Sequence, residues 1–368
     1  MMKFHDICRH YESYYVKKKR LTYSKAALNK KIQTVRPLPL PQDLLRQVDD
    51  YWNRWHNLGK TEHQWFDFYH ALRPDDRVEW FIPNNLYYSE VDLYFNHHQV
   101  ARAYDDKNMY DLLLCDAPRP KTVLHCMRGS FLDPDYAFIS IDEAVERCFS
   151  AKNVIIKPAV GTDGGKGILF WQDDMPEARR IIREWLNSSS YCVAQEIVRQ
   201  HPALSKLHES SINTIRILTF CLDSDVHVLS SLVRMGVGDS RVDNVSAGGI
   251  ACGIDSDGQL KEKAYNAKGQ VYTSHPGGTV FAGCFIPGFD RCTNLVKRLA
   301  PRFARFSKLV SWDIALQEDG DPVIIEVNLS YGQIDFHQMC NGPVFGDLTD
   351  RVLDMVFHCN ERASGKRK

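Results

Sequence analysis

The sequence predicts an α+β fold with mostly antiparallel sheets, preceded by a helical N-terminal part that is rich in aromatic residues. Two observations support this class. Apolar residues recur at helical spacing between residues 44 and 72. From residue 121 onward, short β-rich runs alternate with helical stretches. At 368 residues, the chain has room for two or three domains.

The overall composition excludes several classes of protein. Lys and Arg total 46, as do Asp and Glu, so the chain lacks the basic excess of a general nucleic-acid-binding protein. No apolar run approaches the roughly 20 residues that a membrane-spanning helix needs. The 11 cysteines include no C-x-x-C pair, which argues against a zinc ribbon or a redox pair. Because the N-terminus also lacks the apolar segment of a secretion signal, we expect a cytoplasmic protein.

The first 36 residues are strongly basic, with ten Lys or Arg residues against two acidic ones. We interpret this segment as a solvated helix that packs on the rest of the protein through Tyr11, Tyr14, Tyr15 and Tyr23. The alternative is a peripheral contact with an anionic membrane surface, an acidic partner or a glycosyltransferase.

A helical domain is predicted after a stiff, proline-rich connector at residues 36–41. Its two helices are expected at about residues 44–55 and 65–72, where apolar side chains follow helical spacing. Four tryptophans lie between residues 52 and 80, and we expect them in the core rather than in a ligand site.

The later elements follow from capping residues, turns and alternating apolar runs. They are a helix after Ser140, strands at 153–157 and 167–171, a helix at 176–186, a strand at 191–198, a hairpin of 212–222 and 226–237, a helix at 291–306 that Pro301 interrupts, a hairpin of 310–316 and 323–328, and a final helix ending near 359.

A glycine loop joins the strands at 153–157 and 167–171. It is not a Walker A loop, because Gly167 follows Gly165-Lys166 where Ser or Thr is required. It is not a Rossmann loop either, because a strand follows it instead of a helix. Glycines let backbone N–H groups approach phosphate oxygens, and Lys157 and Lys166 add positive charge. The alternative is an ordinary glycine-rich hairpin with surface lysines.

The C-terminal hairpin carries a candidate metal site. Residues two apart in a strand share a face, so Glu326 and Asn328 project together, and Asp313 on the partner strand can face them. Two carboxylates and an amide oxygen suit Mg²⁺ that bridges nucleotide phosphates. The alternative is that both carboxylates pair with arginines for structural reasons.

Two arginines, Arg216 and Arg234, lie within apolar strands of the long hairpin, where a charge is unusual unless it faces a polar cavity. A polar loop with Arg241 and Asn244 follows. A guanidinium binds phosphate or carboxylate in bidentate fashion, so these residues are candidates for binding an anion. The alternative is a surface edge with paired charges.

Taken in order, these residues resemble the ATP-grasp superfamily over about residues 104–345. The motifs are Asp106-Lys107, Lys157 with the glycine loop, Ala194-Gln-Glu196-Ile-Val198, Asn213-Thr-Ile-Arg216, and Asp313 with Glu326-Val-Asn328. In its sequence pattern the chain most resembles the sugar-transfer associated ATP-grasp family. Its loop at 241–249 and its segment at 326–332 also resemble the ligases that add glutamate to a ribosomal protein tail.

The resemblance implies two α+β lobes that hold ATP between them. The implied divisions are a basic segment (1–36), a helical domain (37–103), a small lobe with the glycine flap (104–198), a large lobe with the metal site (199–360) and a basic tail (361–368).

The resemblance also assigns the nucleotide contacts. Lys107 and Lys157 would contact the α- and β-phosphates, and Gly164, Gly165 and Lys166 would close over the β- and γ-phosphates. Glu196, Ile197 and Val198 would form the hinge that binds adenine, through the Ile197 carbonyl and the Val198 N–H. The acidic ribose-binding residue of related ligases is not evident, and His208, Glu209 or Ser210 is expected in its place.

For the reacting end, the resemblance implies one or two Mg²⁺ ions held by Asp313, Glu326 and Asn328. Arg216, Arg234 and Asn244 would bind the γ-phosphate and the acceptor carboxylate. Three histidines are not expected to bind metal: His97 and His98 point to opposite sides of an extended chain, and His337 is expected, like them, in a surface or core role.

The implied function is an ATP-dependent ligase that activates a carboxylate as an acyl phosphate for attack by an amine. Its substrates would be small or glycan-linked molecules, in keeping with polysaccharide biosynthesis. Two alternatives remain open: a kinase that phosphorylates a hydroxyl, and a nucleotide-binding scaffold for glycosyltransferases.

Overall fold

The computed structural model describes residues 4–55, 62–161, 165–171 and 177–363, and its side chains between residues 15 and 358. Thirteen helices lie within these ranges. They are α1 (Phe4–Val35), α2 (Gln42–Trp52), α3 (Gln64–Leu72), α4 (Asn84–Leu86), α5 (Asp92–Phe95), α6 (His98–Ala101), α7 (Tyr110–Leu113), α8 (Ile141–Ser150), α9 (Ala178–Ser188), α10 (Pro202–Ser205), α11 (Phe289–Leu299), α12 (Ile334–Asn341) and α13 (Thr349–Ala363).

The strands of these ranges form two sheets in which every paired strand is antiparallel. They are β1 (Thr122–Met127), β2 (Ser130–Leu132), β3 (Phe138–Ile139), β4 (Val154–Pro158), β5 (Leu169–Trp171), β6 (Tyr191–Glu196), β7 (Ile215–Leu222), β8 (Asp225–Met235), β9 (Ile250–Ile254), β10 (Leu260–Asn266), β11 (Val271–Tyr272), β12 (Leu309–Leu316) and β13 (Pro322–Asn328).

The smaller sheet has the strand order β3-β2-β1-β6-β4-β5. Helices α8 and α9 pack against each other and against this sheet, around a separate apolar cluster that includes Val145, Ile156 and Leu186. The Ser140 hydroxyl caps α8 by accepting a hydrogen bond of 3.2 Å from the Glu143 N–H, as the sequence predicts. The glycine flap joins β4 to β5 and therefore lies at one end of this sheet.

The larger sheet has the order β11-β10-β9-β8-β7-β12-β13. Its central strands β7 and β12 are buried along their whole length, because apolar clusters cover both faces of the sheet. Cross-strand register places Arg216 opposite Asp313, and Asp313 opposite Glu326. Three charged residues thus lie side by side across three neighbouring strands.

Aromatic residues of the N-terminal helices pack directly on the larger sheet. Trp65 and Phe66 share one cluster with Leu218 and Phe220 of β7, while Trp80 is half-buried. Helix α11 covers the opposite face and ends at Leu299, just before Pro301, as the sequence predicts. The helical N-terminal part therefore shares its core with the sheet instead of having one of its own.

The basic N-terminal segment is a helix, as predicted, but its described tyrosines do not attach it to the protein. Tyr15 is 64% exposed and Tyr23 is 76% exposed. Tyr11 and Tyr14 lie outside the residues whose side chains are described. Contact is made instead by Leu28 and by Lys31, which is fully buried. In the described part of the chain, no helix combines the length and apolar composition needed to cross a membrane.

Lys31 fastens α1 to the larger lobe. Its Nζ atom lies 3.1 Å from the buried Asp335 carboxylate and donates a hydrogen bond of 2.8 Å to the Ala267 carbonyl. Removing one partner of a buried ion pair leaves the other charge uncompensated. We expect Lys31→Ala to lower the free energy of unfolding by about 3–5 kcal/mol, measured by urea denaturation.

The adjacent, exposed Lys30 supplies the control for this measurement. Lys30→Ala should change the free energy of unfolding by less than about 0.5 kcal/mol. If the two variants were equally stable, Lys31 would not hold the helix in place.

Candidate active site

A cleft of about 780 Å³ lies between the two sheets and is lined by residues of both. Most of the site residues predicted from the sequence line it: Lys107, Lys157, Gly165, Glu196, Ile197, Val198, Arg216, Arg234, Asn244, Asp313, Glu326 and Asn328. Lys166 is described, but it is exposed and does not line the cleft. Gly164 lies outside the described residues. The cleft therefore brings together residues that are more than 200 positions apart in the sequence.

Asp313 is the centre of the charged cluster and is only 1% exposed. Arg216 donates to it through Nε at 2.7 Å and Nη2 at 2.8 Å, and Arg234 Nη2 donates to it at 3.0 Å. Burial alone would raise the pKa of this carboxyl, but attraction to Arg216 and Arg234 outweighs burial and lowers it. Asp313 therefore stays ionised and fixes the orientation of both guanidinium groups.

Glu326, next to Asp313 across the hairpin, has Lys107 as its partner. The Lys107 Nζ donates a hydrogen bond of 2.6 Å to Glu326 Oε1. Burial acts to raise the pKa of Glu326, and the charge of Lys107 more than compensates, so the pKa is lowered. Lys107 also donates its backbone N–H to the Ala159 carbonyl at the base of the flap. Lys107 therefore connects the hairpin of β12 and β13 to the smaller sheet.

Lys157 lies on β4 and is only 9% exposed. Burial, with a smaller contribution from the positive charge of Lys107, lowers its pKa to about 8, although Glu326 and Asp313 act in the opposite direction. No salt bridge to Lys157 is found within the described residues. Its ammonium group is therefore available to an anion in the cleft.

Gly165 of the flap and Phe170 of β5 lie close to the loop of residues 241–244. Gly165 has a φ of +70°, and a Cβ at this position would lie 2.8 Å from Val242 Cγ1. Arg241 covers the Phe170 ring with its guanidinium carbon 4.1 Å from the ring centroid. Glycine is thus required at residue 165, both for the left-handed backbone and for the close approach of the two loops.

The residues present fit a hard divalent cation. Asp313, Glu326 and Asn328 offer only oxygen ligands. The Asn328 Nδ2 group donates to the Ser311 carbonyl at 3.3 Å, so its amide oxygen is the atom that can face a metal. Among the described residues, no group of three or more His, Cys, Asp or Glu side chains is arranged for a metal. A bound ion would therefore need the oxygens of a nucleotide to complete its coordination.

Sequence reasoning missed the residues that orient Arg234. Asp243, in the loop quoted above, lies 3.3 Å from Arg234 Nη2 and also accepts a hydrogen bond of 3.0 Å from the Thr214 N–H. The Thr214 hydroxyl donates to Asp243 and accepts hydrogen bonds from Arg234. Asp243 was the detectable signal, since an acidic residue beside Asn244 is an obvious partner for a buried arginine.

Asn244 is less free than its predicted role requires. Its side-chain oxygen accepts hydrogen bonds from the N–H and the hydroxyl of Ser246, at 2.9 and 2.6 Å. It therefore caps the short turn Val245–Ala247, and only its amide nitrogen remains to bind a ligand.

The hinge at the end of β6 leaves a small number of backbone groups for a ligand. Glu196 donates its N–H to the Lys121 carbonyl, and Ile197 donates its N–H to the Asn153 carbonyl. The Ile197 carbonyl and the Val198 N–H remain for a bound base, and both residues line the cleft.

The predicted ribose contacts are wrong, because none of the three candidate residues lines the cleft. His208 uses both ring nitrogens, for the Ser211 hydroxyl and the Gly238 carbonyl, each at 2.8 Å. Glu209 and Ser210 are exposed outside the cleft.

A polar cluster surrounds Tyr331, which also lines the cleft. Arg20 of α1 donates to the Tyr331 hydroxyl and to His98 Nδ1, both at 3.0 Å. Arginine can only donate, so Nδ1 must accept, and the ring proton of neutral His98 lies on Nε2, 2.7 Å from the buried Asp92. His98 is half-buried and lines the cleft, and that it does not bind metal stays a prediction.

The chain matches the family model described as "Sugar-transfer associated ATP-grasp" over residues 88–353. No curated protein sequence matches it. Among solved structures, it is similar to D-cycloserine synthetase DcsG, with 15% identity, a TM-score of 0.43, and coverage of 69% of this chain and 72% of that chain.

Two further similar structures are longer than the region they share with this chain. An L-amino acid ligase from Bacillus licheniformis has 16% identity and a TM-score of 0.40, with coverage of 68% of this chain and 47% of that chain. The ATP-grasp ligase PsnB has 18% identity and a TM-score of 0.41, with coverage of 71% and 64%. The chain thus spans less than two thirds of the length of either protein.

The lowered pKa of Lys157 predicts a pH-dependent stability. The pKa of Lys157 is 10.5 in the unfolded chain and about 8 in the folded protein. Below pH 8 the group is protonated in both states, so the whole cost of burying its charge lowers the free energy of unfolding. The destabilisation disappears as the pH rises to 10.5. We expect Lys157→Met to raise the free energy of unfolding at neutral pH by about 3 kcal/mol, and by much less near pH 10.

Urea denaturation at both pH values measures this difference. Lys166→Met, at an exposed position of the same flap, should stay within about 0.5 kcal/mol of the unaltered protein. A Lys157→Met protein that is less stable at neutral pH would contradict the assignment of an unpaired, buried ammonium group.

Proposed function

The chain belongs to the sugar-transfer associated ATP-grasp family, and we propose that it uses ATP to join a carboxylate to an amine. The observation that carries the proposal is the cleft itself. Lys157, Arg216 and Arg234 meet the acidic hairpin of Asp313 and Glu326 in one cavity. Such an arrangement of fixed cations and oxygen ligands suits a nucleoside triphosphate and its metal.

The nucleotide would lie with its adenine at the hinge and its phosphates between the flap and the acidic hairpin. Lys107 and Lys157 would contact the α- and β-phosphates, and the Gly165 N–H would approach the β- and γ-phosphates. The contacts of Arg234 use Nε and Nη2, which leaves Nη1 for the γ-phosphate. Asp313, Glu326 and Asn328 would hold one or two Mg²⁺ ions, which supply charge neutralisation of the phosphates when bound.

The reaction proposed for this site has two steps. A carboxylate oxygen of the first substrate attacks the γ-phosphorus, the bond to ADP breaks, and ADP leaves with the electron pair. The amine nitrogen of the second substrate then attacks the acyl carbon, phosphate leaves with the electrons of its bond to that carbon, and the amine loses a proton to solvent. The chain's own residues position the reactants and neutralise charge, and none forms a covalent intermediate.

The name of the family supports a link to sugar transfer. We therefore propose that one of the substrates is a sugar acid or a glycan-linked carboxylate, and that the pathway is the biosynthesis of a polysaccharide. The flap supports the same reaction, because a closed flap keeps water from the acyl phosphate.

The hinge can be tested with two variants of one residue. Val198→Pro removes the N–H that would bind adenine, whereas Val198→Ala keeps it. We expect the proline variant to bind Mg·ATP about tenfold more weakly, because one hydrogen bond is lost, and the alanine variant to bind it nearly as well as the unaltered protein. Isothermal titration calorimetry measures both affinities, and equal affinities would place adenine elsewhere.

The acidic hairpin can be tested through turnover. Using substrate mixtures of amino acids and sugar acids that stimulate ADP release, we expect Glu326→Gln to slow that release about 100-fold or more while the fold is retained. Glu318→Gln, in the exposed turn of the same hairpin, is the matched control and should be unaffected. Unchanged ADP release in Glu326→Gln would contradict the site.

The product of the unaltered protein identifies the reaction. An amide together with ADP and phosphate supports the ligase. A stable phosphorylated product would instead show transfer to a hydroxyl, and absence of Mg·ATP binding would contradict the ligase.

A further inference from the structure

The cleft end near His98 carries two opposite charges that the protein leaves unpaired. Arg102 and Asp105 both line the cleft and lie on the single turn that follows α6, where the Asp105 N–H donates to the Ala101 carbonyl at 3.1 Å. Side chains three residues apart on a helical turn are neighbours and commonly form an ion pair. These two do not, and neither has an ion pair with any other described residue.

Asp105 lies on the side of the cleft where the chemistry is proposed to occur. Lys107 and Glu326 are charged groups of this site that act on its carboxylate, and the Leu329 N–H hydrogen-bonds to it. Burial is the main cause that raises its pKa, to about 6. No ion pair to Asp105 is found within the described residues, and the attraction of Lys107 does not offset the burial of this half-buried carboxylate. A ligand that brings a positive charge would remove this cost.

Arg102 is exposed to the cleft and offers a free guanidinium, a group suited to a carboxylate. The neighbouring arginines and lysines already have roles: Arg20 holds Tyr331 and His98, Arg216 and Arg234 hold Asp313, and Lys107 holds Glu326. Arg102 therefore differs from them in having no partner among the described residues.

Tyr331 also lines this cleft and is held by several contacts. Tyr331 has a φ of +65°, which is rare for a residue with a side chain, and its backbone N–H lies 3.3 Å from Asp92 Oδ1. The guanidinium of Arg20 covers its ring at 4.7 Å, yet the residue remains 45% exposed. Tyr331 thus lines the same cleft as Arg102 and Asp105, and its contacts hold its side chain in place before a ligand binds.

We propose that this end of the cleft binds the amine substrate as a zwitterion, with its carboxylate on Arg102 and its ammonium group beside Asp105. This inference rests on the proposed ligase function and specifies the class of one substrate, an amino acid or a close analogue. The orientation of the amino acid follows from the positions of these two residues. Its reacting nitrogen must lie on the side of Lys107 and Glu326, and Asp105 is the residue whose carboxylate interacts with them.

The test is a calorimetric binding screen of the proteinogenic L-amino acids and their D-forms, with and without Mg·AMPPNP. Each amino acid that binds is compared with two matched probes: its amide, which lacks the carboxylate charge, and its N-acetyl derivative, which lacks the ammonium charge. We expect both probes to bind the unaltered protein at least about tenfold more weakly, because each loses one charge-assisted interaction.

Two variants then assign each charge to its residue. Arg102→Gln should weaken binding of the amino acid about tenfold or more but leave binding of its amide unchanged. Asp105→Asn should weaken binding of the amino acid but leave binding of the N-acetyl derivative unchanged. Arg305→Gln, an exposed arginine without an ion pair in the described residues, is the control and should have no effect.

The proposal is overturned if no amino acid binds, or if Arg102→Gln weakens the amino acid and its amide equally. Binding of Mg·AMPPNP, measured in the same experiment, separates this outcome from a failure of the proposed function. Retained nucleotide binding without amino-acid binding would refute only the zwitterion subsite, whereas loss of nucleotide binding in the unaltered protein would refute the ligase.

Discussion

The structure of the site depends on one buried carboxylate, that of Asp313, and on the two guanidinium groups that bind it. An ionised carboxylate in the middle of a sheet is stable only when cations and hydrogen-bond donors surround it. Arg216 meets this need from the neighbouring strand β7, and Arg234 from β8, the strand beyond it. Because each arginine also binds a second group, Gln333 in one case and Thr214 in the other, the charge at Asp313 fixes side chains on several loops at once.

Much of this arrangement could be predicted because it follows from strand geometry. Alternation along a strand and antiparallel pairing are sufficient to place Glu326 and Asn328 on one face beside Asp313. The glycine flap could also be predicted from the sequence. Its residues do not fit the Walker A or Rossmann loops, which leaves a glycine-rich turn between two strands. The alternative for the hairpin, pairing of both carboxylates with arginines, holds for Asp313, which also lines the cleft, but not for Glu326, which pairs with Lys107.

The parts that sequence could not predict depend on contacts between distant segments. Arg20 and Tyr331 are 311 positions apart, and no spacing rule links a basic helix to a loop at the other end of the chain. The prediction that Tyr15 and Tyr23 are buried is wrong for a related reason: an aromatic side chain indicates burial only on the face that meets the protein, and the sequence does not reveal that face. His98 has no local signal either, because its role arises from the fold around Asp92.

The contact between α1 and the Tyr331 loop affects where this protein can be divided. The family match begins at residue 88, yet Arg20 and Lys31 precede it. A fragment cut at that boundary would keep every residue proposed to contact ATP, but Tyr331 would lose the guanidinium over its ring and Asp335 would lose its lysine. Helix α1 therefore supports the Tyr331 loop and the residues around Asp335, and we expect a fragment that starts at residue 88 to be less stable than the whole chain.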